Sequence, residues 1–274
     1  MTLTAAQAHI RALLGGASLA ALLALAALPA AAAVPPIVPG FDSNTLPAND
    51  DGSTGLVNLG FSFNFFGTTY TQTYVNNNGN ITFANPLGTF TPFAITGPTG
   101  NPLIAPFFAD VDTRSGPVTT YGTGTFEGQD AFGVNWLEVG YYAQNLDLRN
   151  TFQLLLVDRS DLNPGDADIY FNYNSMQWET GEASGGVGGL GGTCARVGLN
   201  SGTGTSLEVA GSGICGALID GGANQLLTAT NNGVPGQYLF QVRGGRVIDT
   251  DVPEPASFAL LGIGLAALGA ARRR

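Results

Sequence analysis

Apolar positions in the middle of the chain recur at every second residue. Phe61-Ser62-Phe63-Asn64-Phe65 alternates strictly, as a strand with one buried face does. Tyr70-Thr71-Gln72-Thr73-Tyr74-Val75 is rich in β-branched and aromatic residues, and Asn76-Asn77-Asn78-Gly79-Asn80 leads from it into Ile81-Thr82-Phe83. Asn and Gly tolerate positive φ, so this stretch predicts a hairpin. Further β runs fall at 103–108, 118–121, 132–142, 152–157, 169–173, 195–199 and 237–242, with turns drawn from 40 Gly and 15 Pro. No helical period appears before the C-terminal tail. Many short strands divided by turn signals predict a mainly β chain folded as an antiparallel β-sandwich.

The two ends break this pattern. Residues 1–33 carry Arg11, an apolar core over 17–28, Pro29 and then Ala30-Ala31-Ala32-Ala33. This predicts a secretory signal peptide cleaved before Val34. At the other end Val252-Pro253-Glu254-Pro255 precedes 16 uncharged residues and a final Arg272-Arg273-Arg274. The prolines stop regular structure. As a helix the uncharged run spans about 24 Å at about 1.5 Å per residue. That is slightly short of a hydrocarbon core of about 30 Å, a gap that snorkelling arginines close. The cations stay in the cytoplasm, which puts everything upstream on the far side of the inner membrane. Pro253, Glu254 and Pro255, a single transmembrane helix and the Arg272–Arg274 cluster together resemble the PEP-CTERM sorting signal. The resemblance implies recognition and processing by an exosortase, a transient stay in the inner membrane, and final residence at the surface or in the extracellular matrix.

Charge then narrows the chemistry. Residues 34–252 hold 19 acids against six arginines, a net charge of −13. Such a surface repels nucleic acid and favours divalent cations. There is no lysine, and the only histidine, His9, lies in the signal peptide. A Ser-His-Asp or Cys-His triad, a Ser-Lys dyad, a lysine Schiff base and a histidine metal site are all ruled out for the exported part. Paired carboxylates, as in glycoside hydrolysis, remain chemically open. Glu127, Glu138, Glu179 and Glu182 offer such pairs. Cys194 and Cys215, 21 positions apart in an exported chain, predict a disulfide. With no further ligands nearby in sequence they do not suggest a structural metal site.

The ordered set of β segments carries a second resemblance. Leu46-Pro47-Ala48-Asn49-Asp50-Asp51-Gly52-Ser53-Thr54 leads into the Leu59–Gly67 run, and the asparagine-glycine hairpin follows. Then come Ile104-Ala105-Pro106-Phe107-Phe108-Ala109-Asp110-Val111-Asp112-Thr113, the pairs Asn172-Tyr173 and Gln177-Trp178, and the Gly-rich stretch 184–192. Their order and spacing resemble the NIDO domain of nidogens and tectorins over roughly 42–242. This resemblance implies an extracellular module that associates with matrix and mediates cell–matrix adhesion, without catalysis. The chain divides accordingly into a signal peptide (1–33), a NIDO-like β domain (34–242), a linker (243–252) and a sorting tail (253–274).

Asp110 and Asp112, at i and i+2, are expected on one face of a strand. With Asp50 and Asp51 they supply hard oxygen ligands for a possible Ca²⁺; the alternative is that they bond turn amides. No other cofactor is implied. Asp161-Leu162-Asn163-Pro164-Gly165-Asp166 begins like an EF-hand loop, but glycine stands where a ligand belongs, so it reads as a polar turn. Gly186-Val187-Gly188-Gly189-Leu190-Gly191 fits a dinucleotide fingerprint formally, yet lacks the surrounding βαβ unit. Trp136, Trp178, Tyr141, Tyr142 and Tyr173 are expected in the core, with a sugar-stacking platform as the alternative. The sequence thus points to a non-enzymatic surface or matrix adhesion protein whose partner is extracellular matrix or exopolysaccharide. A calcium-dependent carbohydrate-binding module is the first rival, and a carboxylate-pair glycosidase the second.

Overall fold

In the computed structural model residues 37–249 are described. The segment expected to be a signal peptide and the sorting tail, with Pro253, Glu254, Pro255 and Arg272–Arg274, lie outside them. The described residues form 14 β-strands and one short 3₁₀ turn, Glu182–Ser184. None of their helices is long and apolar enough to cross a membrane.

Two antiparallel sheets make a sandwich. The smaller contains β2 (Val57–Phe65), β3 (Thr68–Asn76), β4 (Asn80–Thr82), β5 (Leu103–Phe108), β11 (Arg196–Asn200) and β12 (Ser206–Glu208), in the order β12-β11-β5-β4-β3-β2. The larger runs β1 (Asn44–Thr45), β7 (Thr120–Phe126), β8 (Gln129–Tyr141), β9 (Asn145–Asp158), β10 (Ala167–Met176), β13 (Gln237–Arg243) and β14 (Arg246–Asp249). The two-residue β6 (Val111–Asp112) adds to β8 beside this path. Every run expected from alternation lies in or against one of these strands. The last strand, β14, pairs with β13 from Arg246 opposite Arg243 to Asp249 opposite Phe240, so the sheet continues into the segment assigned above to a linker.

The alternating strand behaves as its pattern requires. In β2, Leu59, Phe63 and Phe65 are buried while Asn58, Gly60 and Ser62 are exposed. They pack across the inter-sheet core against Phe132, Val134, Trp136, Phe152 and Leu154. Burying one such side chain stabilises by about 1.5–3 kcal/mol.

Strands β9 and β5 are buried on both faces over their apolar stretches, and each has a local cover. On β9, Phe152, Leu154 and Leu156 face the main core, while Leu155 and Val157 join Phe41 and Val38 on the outside of the larger sheet. Gln153 holds that N-terminal strap by donating to the Val38 carbonyl (2.8 Å) and accepting from its amide (3.1 Å). On β5, Leu103, Ala105 and Phe108 pack under Ile95, Leu87 and Phe93 of the 83–102 loop. Continuous apolar runs such as Leu103–Phe108 therefore need no second sheet outside them.

Cys194 and Cys215 are bridged, with Cα atoms 5.3 Å apart. Closing the 21-residue separation contributes about 3 kcal/mol on chain-entropy grounds. The polar turn expected at 161–166 joins β9 to β10. Arg159 pairs there with Asp161 (3.0 Å) and Asp168 (2.7 Å).

Candidate functional site: an acidic loop cluster wired by buried asparagines

Three loop segments meet at one end of the sandwich. The first, 49–54, precedes β2. The second is the asparagine-rich turn between β3 and β4. The third is the 109–114 stretch around β6. Asn49 and Thr113 exchange bonds: the Thr113 amide donates to the Asn49 carbonyl (2.9 Å), and the Asn49 amide to Thr113 Oγ1 (3.0 Å). The Asn77 amide donates to the Gly52 carbonyl (2.9 Å).

The turn 76–80 forms the expected hairpin, with Asn76 opposite Asn80, but it does not face water. Asn76, Asn77, Asn78 and Asn80 are all buried. Asn77 Nδ2 donates to the carbonyls of Asp50 and Val111, and its Oδ1 accepts from Thr113 Oγ1. Its own carbonyl accepts from Trp136 Nε1 at 2.9 Å, and that indole stacks on Phe152. Asn78 Oδ1 accepts from the Val111 amide, and its Nδ2 donates to Asp51 Oδ1, both at 2.9 Å. A buried polar group needs such partners. Gly79, at φ 72°, lets the chain pass so close that a Cβ would lie 1.7 Å from the Phe107 carbonyl oxygen. The sequence showed these residues only as turn formers; the sole hint of a further role was five polar positions where a tight hairpin needs two.

The four expected acidic ligands divide into two groups. Asp110 sits in the turn after β5 and Asp112 on β6, so they do not share a strand face as expected. The reason is a tight turn in which the Val111 amide bonds the Ala109 carbonyl at 2.9 Å. Asp112 turns to Arg114, whose Nε and amide donate to its Oδ1 at 2.9 and 3.0 Å, and the Gln144 amide donates to its Oδ2 at 2.8 Å. Burial acts to raise this carboxyl, yet those bonds outweigh it and hold it below the ordinary range. Asp50, Asp51 and Asp110 converge instead: one carboxylate oxygen from each lies within 4.8 Å of the others. Burial, then repulsion from Asp50 and Asp51, pushes Asp110 up to about 7. Asp50 rises to about 6 through burial and the neighbouring Asp112 and Asp51, although Arg114 stands 3.1 Å away and opposes the shift. These are acids short of positive charge.

The other candidate groups are absorbed by the fold. Trp136, Trp178, Tyr141 and Tyr173 are fully buried, and Tyr142 lies under the Arg114 guanidinium, 5.6 Å from its ring centre. They build the core and one wall of the loop cluster; they do not form an exposed stacking strip. Glu179 does stand beside the Cys194–Cys215 bridge, contrary to the expectation that no ligand does. Both cysteines are in the disulfide, and the Glu179 oxygens accept the amides of Gly216 (2.8 and 2.9 Å) and Gly191 (3.3 Å). Glu127, Glu138 and Glu182 are exposed on separate turns and strands. The 186–191 glycine stretch is a loop closed by a bridge between Val187 and Leu190.

Residues 35–233 match the family described as NIDO related. The chain belongs to that family. Residues 251–274 match the PEP-CTERM protein-sorting motif. Human alpha-tectorin is 31% identical over 225 residues, covering 73% of this chain and 10% of its own length. Chicken alpha-tectorin is 31% identical over 269 residues (89% and 12%), and Drosophila melanogaster nidogen 28% identical over 220 residues (70% and 15%). The NIDO-related chain thus spans roughly a tenth to a seventh of these relatives. No solved structure matches it. A NIDO-related domain joined to a sorting motif places this protein outside the cytoplasm, at the cell surface or in the extracellular space.

Proposed function

We propose that this chain is a non-enzymatic adhesion module of the surface or extracellular matrix, released to its destination by exosortase processing of the 253–274 tail that carries Pro253-Glu254-Pro255. The observation that carries the reading is the pairing, in one chain, of a NIDO-related domain with a PEP-CTERM motif. Its partner is matrix material or exopolysaccharide from the producing cell. Support comes also from chemistry. The exported part has no lysine or histidine, and the one buried glutamate among the described residues, Glu179, is committed to backbone amides. The acidic cluster keeps a calcium-dependent carbohydrate-binding module as second reading. The burial of both tryptophans weighs against it.

The test uses the producing cell. Full-length protein and a variant lacking 253–274 are expressed, and cell-surface, matrix and membrane fractions are probed. The full-length chain should reach the surface fraction and be retained on exopolysaccharide with no change in the ligand. The truncated form should not be sorted. Release of reducing sugars, abolished by a single Glu→Gln change, would overturn the reading in favour of a glycosidase.

A further inference from the structure

Four carboxylates and one arginine share the loop end of the sandwich, and the arginine does not satisfy them all. Arg114 is engaged by both oxygens of Asp112 and by Oδ2 of Asp50. Asp50 Oδ1 and Asp110 Oδ2 are buried and have no hydrogen-bond partner, and Asp110 as a whole is only 1% exposed. Native proteins rarely leave a buried polar atom unpaired, and a buried carboxylate is the costliest kind to leave. Asp51 stands next to them at the surface.

Size agrees with chemistry. Calcium takes oxygen ligands at about 2.4 Å, so two opposed ligands lie about 4.8 Å apart. One oxygen from each of Asp50, Asp51 and Asp110 lies within 4.8 Å of the others, so one point stands within about 2.8 Å of all three, near the ligand distance of about 2.3–2.6 Å that calcium takes. We propose that Asp50, Asp51 and Asp110 bind a calcium ion, with Asp112 outside the shell holding Arg114. Asp110 supplies the buried end of the site. Asp51 supplies the open end, where water completes the coordination. Magnesium is disfavoured because it demands octahedral ligands at about 2.0–2.1 Å, and the Asn77 side chain clamps the 50 and 111 segments at a fixed separation. Three carboxylates open to water on one side suit an extracellular site with Kd of about 10⁻⁴–10⁻³ M. The ion would tie the 49–54 loop to the 109–112 turn. This site stands or falls independently of any adhesion to matrix.

The test is calorimetric titration of CaCl₂ into the full chain, purified in detergent and freed of metal by chelation, with MgCl₂ in parallel at constant ionic strength. One saturable calcium site per chain is expected, with magnesium at least tenfold weaker. Melting should shift upward by several degrees on adding calcium. Asp110→Asn should remove the response. Asp51→Asn, at an exposed position with little risk to folding, should weaken it by about tenfold, whereas exposed Asp42→Asn should leave it unchanged. Absence of saturable binding up to about 10 mM, well above the range for such sites, would overturn the proposal. So would equal responses from the Asp51→Asn and Asp42→Asn proteins.

Discussion

Replacing Asn77 by Asp tests whether the loop cluster is held by donated hydrogen bonds or merely by shape. The two side chains have nearly the same volume, so no cavity is made. The change removes both donors, because an ionised carboxylate only accepts. The Asn77 amide nitrogen lies between the carbonyls of Asp50 and Val111; an oxygen in its place faces two other oxygens. Each buried polar group left unsatisfied costs about 1–3 kcal/mol, so two give about 2–6 kcal/mol. Protonation of the introduced carboxyl group restores one bond, which keeps the expected loss near the middle, about 3–5 kcal/mol. For a domain of this size each kcal/mol moves Tm by about 2–4 °C, and the expected drop is therefore about 6–20 °C. Against a typical total stability of about 5–15 kcal/mol that is a large fraction.

The assay is thermal unfolding of the full chain followed by near-UV circular dichroism, to which the buried Trp136 and Trp178 contribute. Asn101→Asp serves as comparator. Asn101 Nδ2 donates to the Asn85 carbonyl at 2.8 Å near the surface, where water replaces a lost partner, so its cost should stay below about 1 kcal/mol. An Asn77→Asp protein melting within about 2 °C of the parent, or a comparator that falls equally far, would refute the assignment of Asn77 as the clamp.

Three further outcomes are expected. Gly79→Ala should be among the most damaging single changes in the chain, costing more than about 3 kcal/mol, because its Cβ would overlap the Phe107 carbonyl at a backbone φ that side chains avoid; soluble yield and melting report it, and a near-normal Tm would count against the close approach. Replacing both Cys194 and Cys215 by Ser should lower stability by about 3 kcal/mol in denaturant titration, and a free-thiol assay on the denatured, unreduced parent should find no reactive thiol. Mass spectrometry of the surface fraction should find an N-terminus at Val34 and no Arg272-Arg273-Arg274; an intact C-terminus there would sink the processing hypothesis.

Fold class was legible because short β-forming runs divided by turn signals recur along the chain. Strict period-2 alternation placed β2, β-branched, aromatic or continuous apolar runs between turn signals placed β3, β5, β8, β9, β10, β11 and β13, and the cysteine pair in an exported context predicted its own bridge. What escaped were features that alternation does not encode. β14 is a four-residue strand at the sheet edge, too short to show a period, although its Val247 packs against the main core. The strap at Val38 and Phe41 covers the outer face of β9 from more than a hundred residues away. A doubly buried strand looks the same in sequence whether a sheet, a helix or a strap covers it.

The site was half legible, for a reason that lies in the hydrogen bonds. Acidic residue type marked Asp50, Asp51 and Asp110 correctly as neighbours, since carboxylates grouped in loops need a cation or a proton. The same rule grouped Asp112 with them, and there spacing misled. An i, i+2 relation places side chains together only along a continuous strand, and the Ala109–Val111 turn interrupts it. Arg114, two residues further on, then claims Asp112. That capture makes the remaining three distinctive. Had Arg114 been shared evenly, the cluster would approach neutrality and ask for nothing more. Because it is committed to Asp112 and one oxygen of Asp50, the deficit of positive charge concentrates on Asp110, the most buried of the three. Asn77 and Asn78 deepen it, for they spend most of their amide protons on backbone carbonyls and reach only Asp51 among the carboxylates. The same asparagines that tie the loops together thus leave Asp50 Oδ1 and Asp110 Oδ2 without a partner inside the chain, and the proposed calcium ion, or a proton on Asp110, would supply the missing positive charge.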